Sequence, residues 1–265
     1  RPQVGQHGVG GDGLMLIAIG MMRDEADVAE DVVRHLQAHG VDRIIVADNL
    51  SKDGTGDILR YCGAEVLDDP EPGYYQDSKM SALAVRAYDA GADWVLPFDA
   101  DEIFYPSDGG TLGDFFAAIP PIIDTIEACG WEHIATLADD TGPSPFHSII
   151  HRREHQELAG FRGKVAFRAC PDPYIHMGNH DVNRRQGQPR RMGGLSYRHF
   201  QYRSLDQYIR KVRNGREAYE ASDLHWNYGT HWRVAGAKSD AELEADWLAM
   251  CGEDGLIVDP APVLP

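Results

Sequence analysis

The chain begins its ordered pattern with an unbroken apolar run, "LMLIAIG" at 14–20, of the kind that a strand buried on both faces requires. Ala29, Val32, Val33 and Leu36 then recur at helical spacing through "DVAEDVVRHLQAHG", with acids in the first turns and Gly40 as a C-terminal stop. "RIIVAD" (43–48) predicts a second strand, followed by the Gly-containing loop "NLSKDGTGD" and a short helix ending near Cys62. "AEVLD" (64–68) predicts a third strand. Ser78 is placed to cap a helix through "SKMSALAVRAYDAG", ending at Gly91, and "WVLPF" (94–98) predicts a fourth strand. Strands alternating with helices in this way predict an α/β fold: a mostly parallel central sheet flanked by helices on both faces.

The second half has a different texture. After "TLGDFFAAI" come short runs, "HIATLA", "HSIIH", "KVAFRA" and "LSYRHFQY", divided by Gly, Pro and Asn. They predict strands and loops that extend the sheet and cover its edge, a C-terminal mixed strand/helix extension. "SLDQYIRKVRNGREAYEAS" predicts a helix with Ser204 as its N-cap. No repeat or low-complexity segment interrupts the chain. The expectation is a flexible Gly-rich leader over 1–13 and one domain over 14–265, with halves at 14–106 and 107–265.

Composition narrows the class. The 265 residues are 43% hydrophobic and 25% charged, ordinary for a globular protein with a sizeable core. The formal net charge of −17 argues against nucleic acid or an anionic membrane as partner. No apolar run is long enough to span a membrane. Cys62, Cys129, Cys170 and Cys251 are widely spaced, as for free thiols in a reducing, cytoplasmic setting. Against the acidic background, 184–216 carries Arg184, Arg185, Arg190, Arg191, Arg198, Arg203, Arg210, Lys211, Arg213 and Arg216 beside one acid, Asp206. That segment fits either a specific anionic ligand such as phosphate or a solvated basic helix face.

The candidate chemistry sits at strand ends. "WVLPFDADEIFYP" runs from a buried strand straight into Asp99, Asp101 and Glu102. Asp48 ends the second strand, and Arg23, Asp24 and Glu25 follow the first, so three strand ends deliver polar groups to the carboxyl edge, where open α/β sheets bind ligands. Two carboxylates at i and i+2 reach one hard cation, and Mg²⁺ or Mn²⁺ bound by oxygen keeps positions open for phosphate.

At these residues a resemblance enters. "FDADE" after a buried strand resembles the Asp-x-Asp motif of nucleotide-sugar glycosyltransferases of the GT-A fold. "MMRDEADVAEDVVRHLQAHGVDRIIVADNLSKDGTGDIL" is similar to the opening of the family 2-like members, and "ADWVLPFDADEIF" to the subgroup whose motif reads Asp-x-Asp-Glu-Phe. "KVAFRA…IHMGNHDV" and "HFQYRSLDQYIRKVRNG" look like that subgroup's later segments, so the likeness covers roughly 14–216. The chain departs from the pattern at Ile103, where Phe is common, and at Asp24, where Asn is usual.

The resemblance implies a metal-dependent transferase of inverting stereochemistry. It would move a sugar from a nucleoside-diphosphate donor (UDP, GDP or dTDP type) to a hydroxyl of a carbohydrate or small-molecule acceptor. It implies a nucleotide-binding half at 14–106 and an acceptor-binding half with C-terminal helices at 107–265. Mn²⁺ or Mg²⁺ would be held by Asp101 and less directly Asp99, with His180 or His199 as a further ligand. Asp48 would contact base or ribose, with Asp24 and Glu25 nearby, and Lys79 or Arg203 of the basic segment would pair with phosphate. The implied base is Asp181, aimed inward by a tight turn at Gly178 and Asn179; Glu102, Asp139 and Asp140 are its rivals.

Other signals carry less. "HRREH" (151–155) matches an inverted zinc-peptidase signature but sits among strand signals, whereas that chemistry needs a stable helix. "FDADE" lies on the fourth strand, not the first as in haloacid dehalogenase-type phosphatases. "GVGGDG" precedes a strand and so is no dinucleotide fingerprint. A sugar-phosphate nucleotidyltransferase would carry a Gly-rich phosphate loop after the first strand, which "GMMRDEAD" does not supply. A non-catalytic nucleotide- or carbohydrate-binding homologue is the remaining alternative.

Overall fold

A computed structural model describes residues 13–139, 144–154, 163–183 and 190–259. The leader up to residue 12, Asp140, His155, Arg184 and Arg185 lie outside the described residues. The first half alternates as the apolar pattern predicts: β1 (Leu16–Met22), α1 (Ala29–Ala38), β2 (Arg43–Asp48), α2 (Thr55–Tyr61), β3 (Glu65–Asp68), α3 (Gln76–Asp89) and β4 (Trp94–Phe98). The continuous apolar run of β1 is explained by its two faces. Leu16 and Ala18 pack with Val32, Val33 and Leu36 of α1 on one side, while Ile17 and Ile19 meet Met80, Leu83 and Ala87 of α3 on the other. Removing a fully buried side chain such as Leu36 would cost about 2–5 kcal/mol. One boundary differs from expectation: α3 starts at Gln76, and Ser78 lies inside its first turn, where its hydroxyl donates to the Tyr75 carbonyl at 3.0 Å.

The second half continues with β5 (Glu102–Pro106), α4 (Leu112–Ala117), β6 (Thr125–Glu132), α5 (Pro145–Ser148), β7 (His151–Arg152), β8 (Lys164–Arg168), β9 (Tyr174–Ile175), β10 (Val182–Asn183), β11 (Arg191–His199), α6 (Leu205–Glu220), α7 (Thr230–Ala235), α8 (Asp240–Cys251) and β12 (Ile257–Val258). "KVAFRA" and "LSYRHFQY" yield β8 and part of β11. "HSIIH" instead gives the end of α5 and the first residue of β7, because Pro145 at the first helical position starts a turn of helix there. "HIATLA" is irregular beyond an isolated bridge at His133. Ser204 caps α6 as expected, accepting from the Gln207 amide.

Eight strands form the sheet in the order β3-β2-β1-β4-β8-β6-β11-β5. The β3-β2-β1-β4 part is parallel, β6 is parallel to β11, and β8 runs antiparallel to both β4 and β6. β8 pairs with β4 only at Trp94 and Val95, then diverges. Pro97, which has no N–H to give to a ladder, falls where β8 has already left. The divergence opens the sheet at the carboxyl end of β4, and the corner Asp99–Ala100–Asp101 turns there into β5. α6 and α8 share a smaller core of Tyr208, Val212 and Leu243. No helix among the described residues is long and apolar enough to cross a membrane.

Candidate active site

The opening beside β4 is lined by charge from both halves of the chain. Because β8 is antiparallel to β4, its first residue, Lys164, lies level with the far end of β4. Its ammonium reaches Asp99 Oδ2 at 2.5 Å and Glu102 Oε1 at 2.8 Å. Asp99 also accepts from Asn179 Nδ2 at 3.2 Å and Gln76 Nε2 at 3.5 Å. Two carboxylates and one buried ammonium hold the Asp-x-Asp corner rigid. Burial, opposed by Lys164 and helped by Asp99, lifts the Glu102 carboxyl to about 7. With its side chain fully enclosed and paired with Lys164, Glu102 supports the corner.

Asp101 faces a different set. Lys211 of α6 donates to its Oδ2 at 2.6 Å and to Glu25 Oε1 at 2.9 Å. His199 Nε2 stands 3.6 Å from the same Asp101 oxygen, and its Nδ1 is bound to Glu132 Oε2 at 2.9 Å. Register explains this meeting: Glu102, His199 and Glu132 are abreast on β5, β11 and β6. Burial works against the charge on His199, but Glu132 and Asp101 outweigh it and hold the imidazole well above its ordinary range. Burial likewise opposes the Asp101 charge, yet Lys211 and His199 keep that carboxyl well below the usual carboxylate range.

Once His199 Nε2 releases its proton, the donor types fit a divalent cation. A carboxylate oxygen and an imidazole nitrogen face each other, and the ring is oriented through its other nitrogen by a carboxylate, as metal-binding histidines commonly are. Among the described residues no group of three or more His, Cys, Asp or Glu side chains is arranged to hold a metal ion, so Asp101 and His199 form a pair, with water and ligand oxygens left to complete a shell.

The other expected residues are held by partners of their own. Asp48 lies against α2 so closely that a Cβ on Gly56 would stand 2.2 Å from its Oδ2. Asp24 adopts a positive φ of 56° and ties three elements together, accepting from the Lys52 amide at 2.6 Å and Asn214 Nδ2 at 2.7 Å. Glu25 joins Lys211 and Arg203. Arg203 was expected at phosphate; it is instead buried and clamped by Glu25 and Asp27, where it anchors the start of α6. Lys79 bonds Asp69 at 2.6 Å and the Glu71 and Gly73 carbonyls, so it secures the loop before α3.

The turn at Gly178 and Asn179 is present, with φ of 77° and 57°, but the side chain it delivers to the corner is that of Asn179. His180 folds back on Gly178, where a Cβ would stand 2.4 Å from its Nε2. The Asp181 carboxylate is engaged by Arg191, which also holds Glu127, and by the Val182 amide. Asp139 accepts from the Thr136 amide at 2.6 Å and lies 3.7 Å from His151.

Lys164, Lys211, Glu132 and Gln76 had no signal of their own in the sequence. Lys211 was visible only as a member of the basic segment; strand register brings Lys164 and Glu132 to the site, and the start of α3 brings Gln76.

No protein-family model matches the chain. No curated protein matches it either. Among solved structures, mannosyl-3-phosphoglycerate synthase from Rubrobacter xylanophilus aligns at 28% identity over 44% of this chain and 40% of that one, with a TM-score of 0.34. Glucosyl-3-phosphoglycerate synthase from Mycobacterium tuberculosis, in complex with Mn²⁺, uridine diphosphate and glucosyl-3-phosphoglycerate, aligns at 14% identity over 95% of this chain and 89% of that one, with a TM-score of 0.39. The same enzyme with Mg²⁺ and uridine diphosphate aligns at 15% identity over 80% and 81%, with a TM-score of 0.41. The chain spans less than half the length of the Rubrobacter structure it matches. At TM-scores of this size, no residue of this chain is placed by the likeness.

Proposed function

We propose that this chain is a GT-A glycosyltransferase that transfers a sugar from a nucleoside diphosphate to an acceptor hydroxyl. The observation that supports it is the pairing of Asp101, at the carboxyl end of a buried parallel strand, with a histidine oriented by Glu132. Ligands of open α/β sheets bind at that edge. The Asp-x-Asp resemblance of "FDADE" names the ligand class, and solved enzymes that bind uridine diphosphate with Mn²⁺ or Mg²⁺ belong to the same reading.

In this reading Asp101 and His199 hold a divalent cation, which when bound offsets the charge on the departing diphosphate. Asp99, kept in place by Lys164, and Asp48, on the neighbouring rim, take the ribose and base. The nucleotide half is 14–106, and 107–265 supplies the acceptor side together with His199 and Lys211. Asp181 is the acceptor-side carboxylate; its pair with Arg191 must open before it can take the hydroxyl proton.

The test is turnover of a panel of UDP-, GDP- and dTDP-sugars with Mn²⁺ or Mg²⁺, including slow donor hydrolysis when the acceptor is missing. At least one donor is expected to turn over in the wild type and to be spared by Asp101→Asn. Full activity in that variant would sink the assignment.

A further inference from the structure

Lys211 occupies the place where the proposed function needs a cation. Its ammonium lies 2.6 Å from Asp101 Oδ2, the oxygen that His199 Nε2 faces at 3.6 Å. A divalent ion held by this oxygen and this nitrogen would sit about 2 Å from each. Two cations on one carboxylate oxygen repel: an ammonium that stayed on Asp101 Oδ2 would face the ion at close range in a partly buried site, where screening by water is reduced.

The two lysines of the site differ in how they are held. Lys164 lies between Asp99 and Glu102 with its side chain 7% exposed, and Glu102 is wholly enclosed. Lys211 is 19% exposed and bridges Asp101 to Glu25, which is itself also paired with the buried Arg203. If Lys211 leaves Asp101, it keeps the Glu25 partner at 2.9 Å, and Glu25 keeps Arg203. Only one contact has to break. Lys211 is therefore built to swing about Glu25, whereas Lys164 is built to stay.

We infer that Lys211 is a tethered counter-ion of Asp101, displaced by the divalent cation and turned onto the donor diphosphate. The inference rests on the proposed function and deepens it. It accounts for the charge at the corner in both states: without ligand the ammonium neutralises Asp101, and with ligand the same ammonium adds to the neutralisation of phosphate. It also separates Lys211 from Arg203, whose guanidinium is locked by Glu25 and Asp27.

The experiment is calorimetric titration of MnCl₂ into the nucleotide-free chain, in wild type, Lys211→Gln, Lys211→Arg and Asp101→Asn. Lys211→Gln is expected to bind Mn²⁺ at least about tenfold more tightly than wild type, a change of about 1.4 kcal/mol. Lys211→Arg, which retains the charge, is expected to bind as weakly as wild type, and Asp101→Asn to lose binding. With Mn²⁺ saturating, Lys211→Gln is expected to bind UDP about tenfold more weakly. A second measurement uses the wild type alone: acetylation of Lys211 by acetic anhydride, read by peptide mass spectrometry, is expected to rise when Mn²⁺ is added. Mn²⁺ affinity that is unchanged or lower in Lys211→Gln, or Lys211 reactivity that ignores Mn²⁺, overturns displacement while leaving the metal site standing. Unchanged UDP affinity overturns the phosphate role. Absence of Mn²⁺ binding in wild type and Lys211→Gln alike overturns both the displacement and the metal site of the proposed function.

Discussion

His199 Nε2 stands 3.6 Å from Asp101 Oδ2, and the ring is held in that direction by Glu132 on its Nδ1 at 2.9 Å. The three residues come from β11, the β4–β5 corner and β6, elements far apart in the chain. Glu132 does not face Asp101 through any contact of its own; it acts by fixing the imidazole. Glu132→Gln is therefore expected to weaken Mn²⁺ binding about tenfold or more while leaving the ligands in place. Calorimetric titration with MnCl₂ checks this, and an unchanged affinity would show that His199 is not a ligand.

Lys164 supports the corner from the other side. Its removal leaves Asp99 and the enclosed Glu102 without their shared cation, and breaking a buried pair this way costs about 3–5 kcal/mol. Lys164→Met is expected to lose that much in urea denaturation. Adding Glu102→Gln, which removes the carboxyl that burial forces to take up a proton once Lys164 is gone, is expected to recover a measurable part of it. A double variant no more stable than Lys164→Met would contradict the arrangement.

Asp181 has a role that kinetics can separate from structure. For the proposed base role, Asp181→Asn is expected to lower kcat by about 10²–10⁴ with donor affinity unchanged within about twofold. A parallel fall in donor affinity would instead mark it as the anchor of its turn through Arg191.

Acid is expected to destabilise the fold through two buried histidines. His35 Nε2 donates to the Phe104 carbonyl at 2.6 Å, His133 Nδ1 donates to the Ile149 carbonyl at 3.2 Å, and burial lowers each to about 4 from 6.5. The unfolded chain then takes up protons between pH 6.5 and 4 that the folded chain refuses. Stability is therefore full above pH 6.5 and falls as pH drops towards 4, by on the order of 3 kcal/mol per histidine as an upper bound. Thermal midpoints across this window are expected to show the fall, and His35→Gln or His133→Gln to flatten it.

Much of the first half was legible in the sequence. The run that became β1 is apolar throughout because both its faces are covered, and the abrupt change from "WVLPF" to acids marks a strand end at the ligand edge. The second half was legible in part. β6 carries Gly130, Trp131 and Glu132 in a pattern without alternation, and α5 hides behind β-branched neighbours. The partners of the carboxylates were hidden for a different reason. Lys164 lies 65 residues from Asp99 and Lys211 lies 110 from Asp101, and only strand register and the facing side of α6 bring them together. Arg203 shows the converse: a basic residue in a basic segment carries no sign that two acids will enclose it.

Asp101 and its partners are proposed to bind a nucleoside diphosphate together with a divalent cation. Calorimetric titration with UDP, GDP and dTDP, each with and without Mn²⁺, in wild type and Asp101→Asn, tests it most directly. At least one diphosphate is expected to bind the wild type, to need Mn²⁺ for binding, and to lose binding in Asp101→Asn. Binding of none of the three, or binding that survives unchanged in Asp101→Asn, would contradict it.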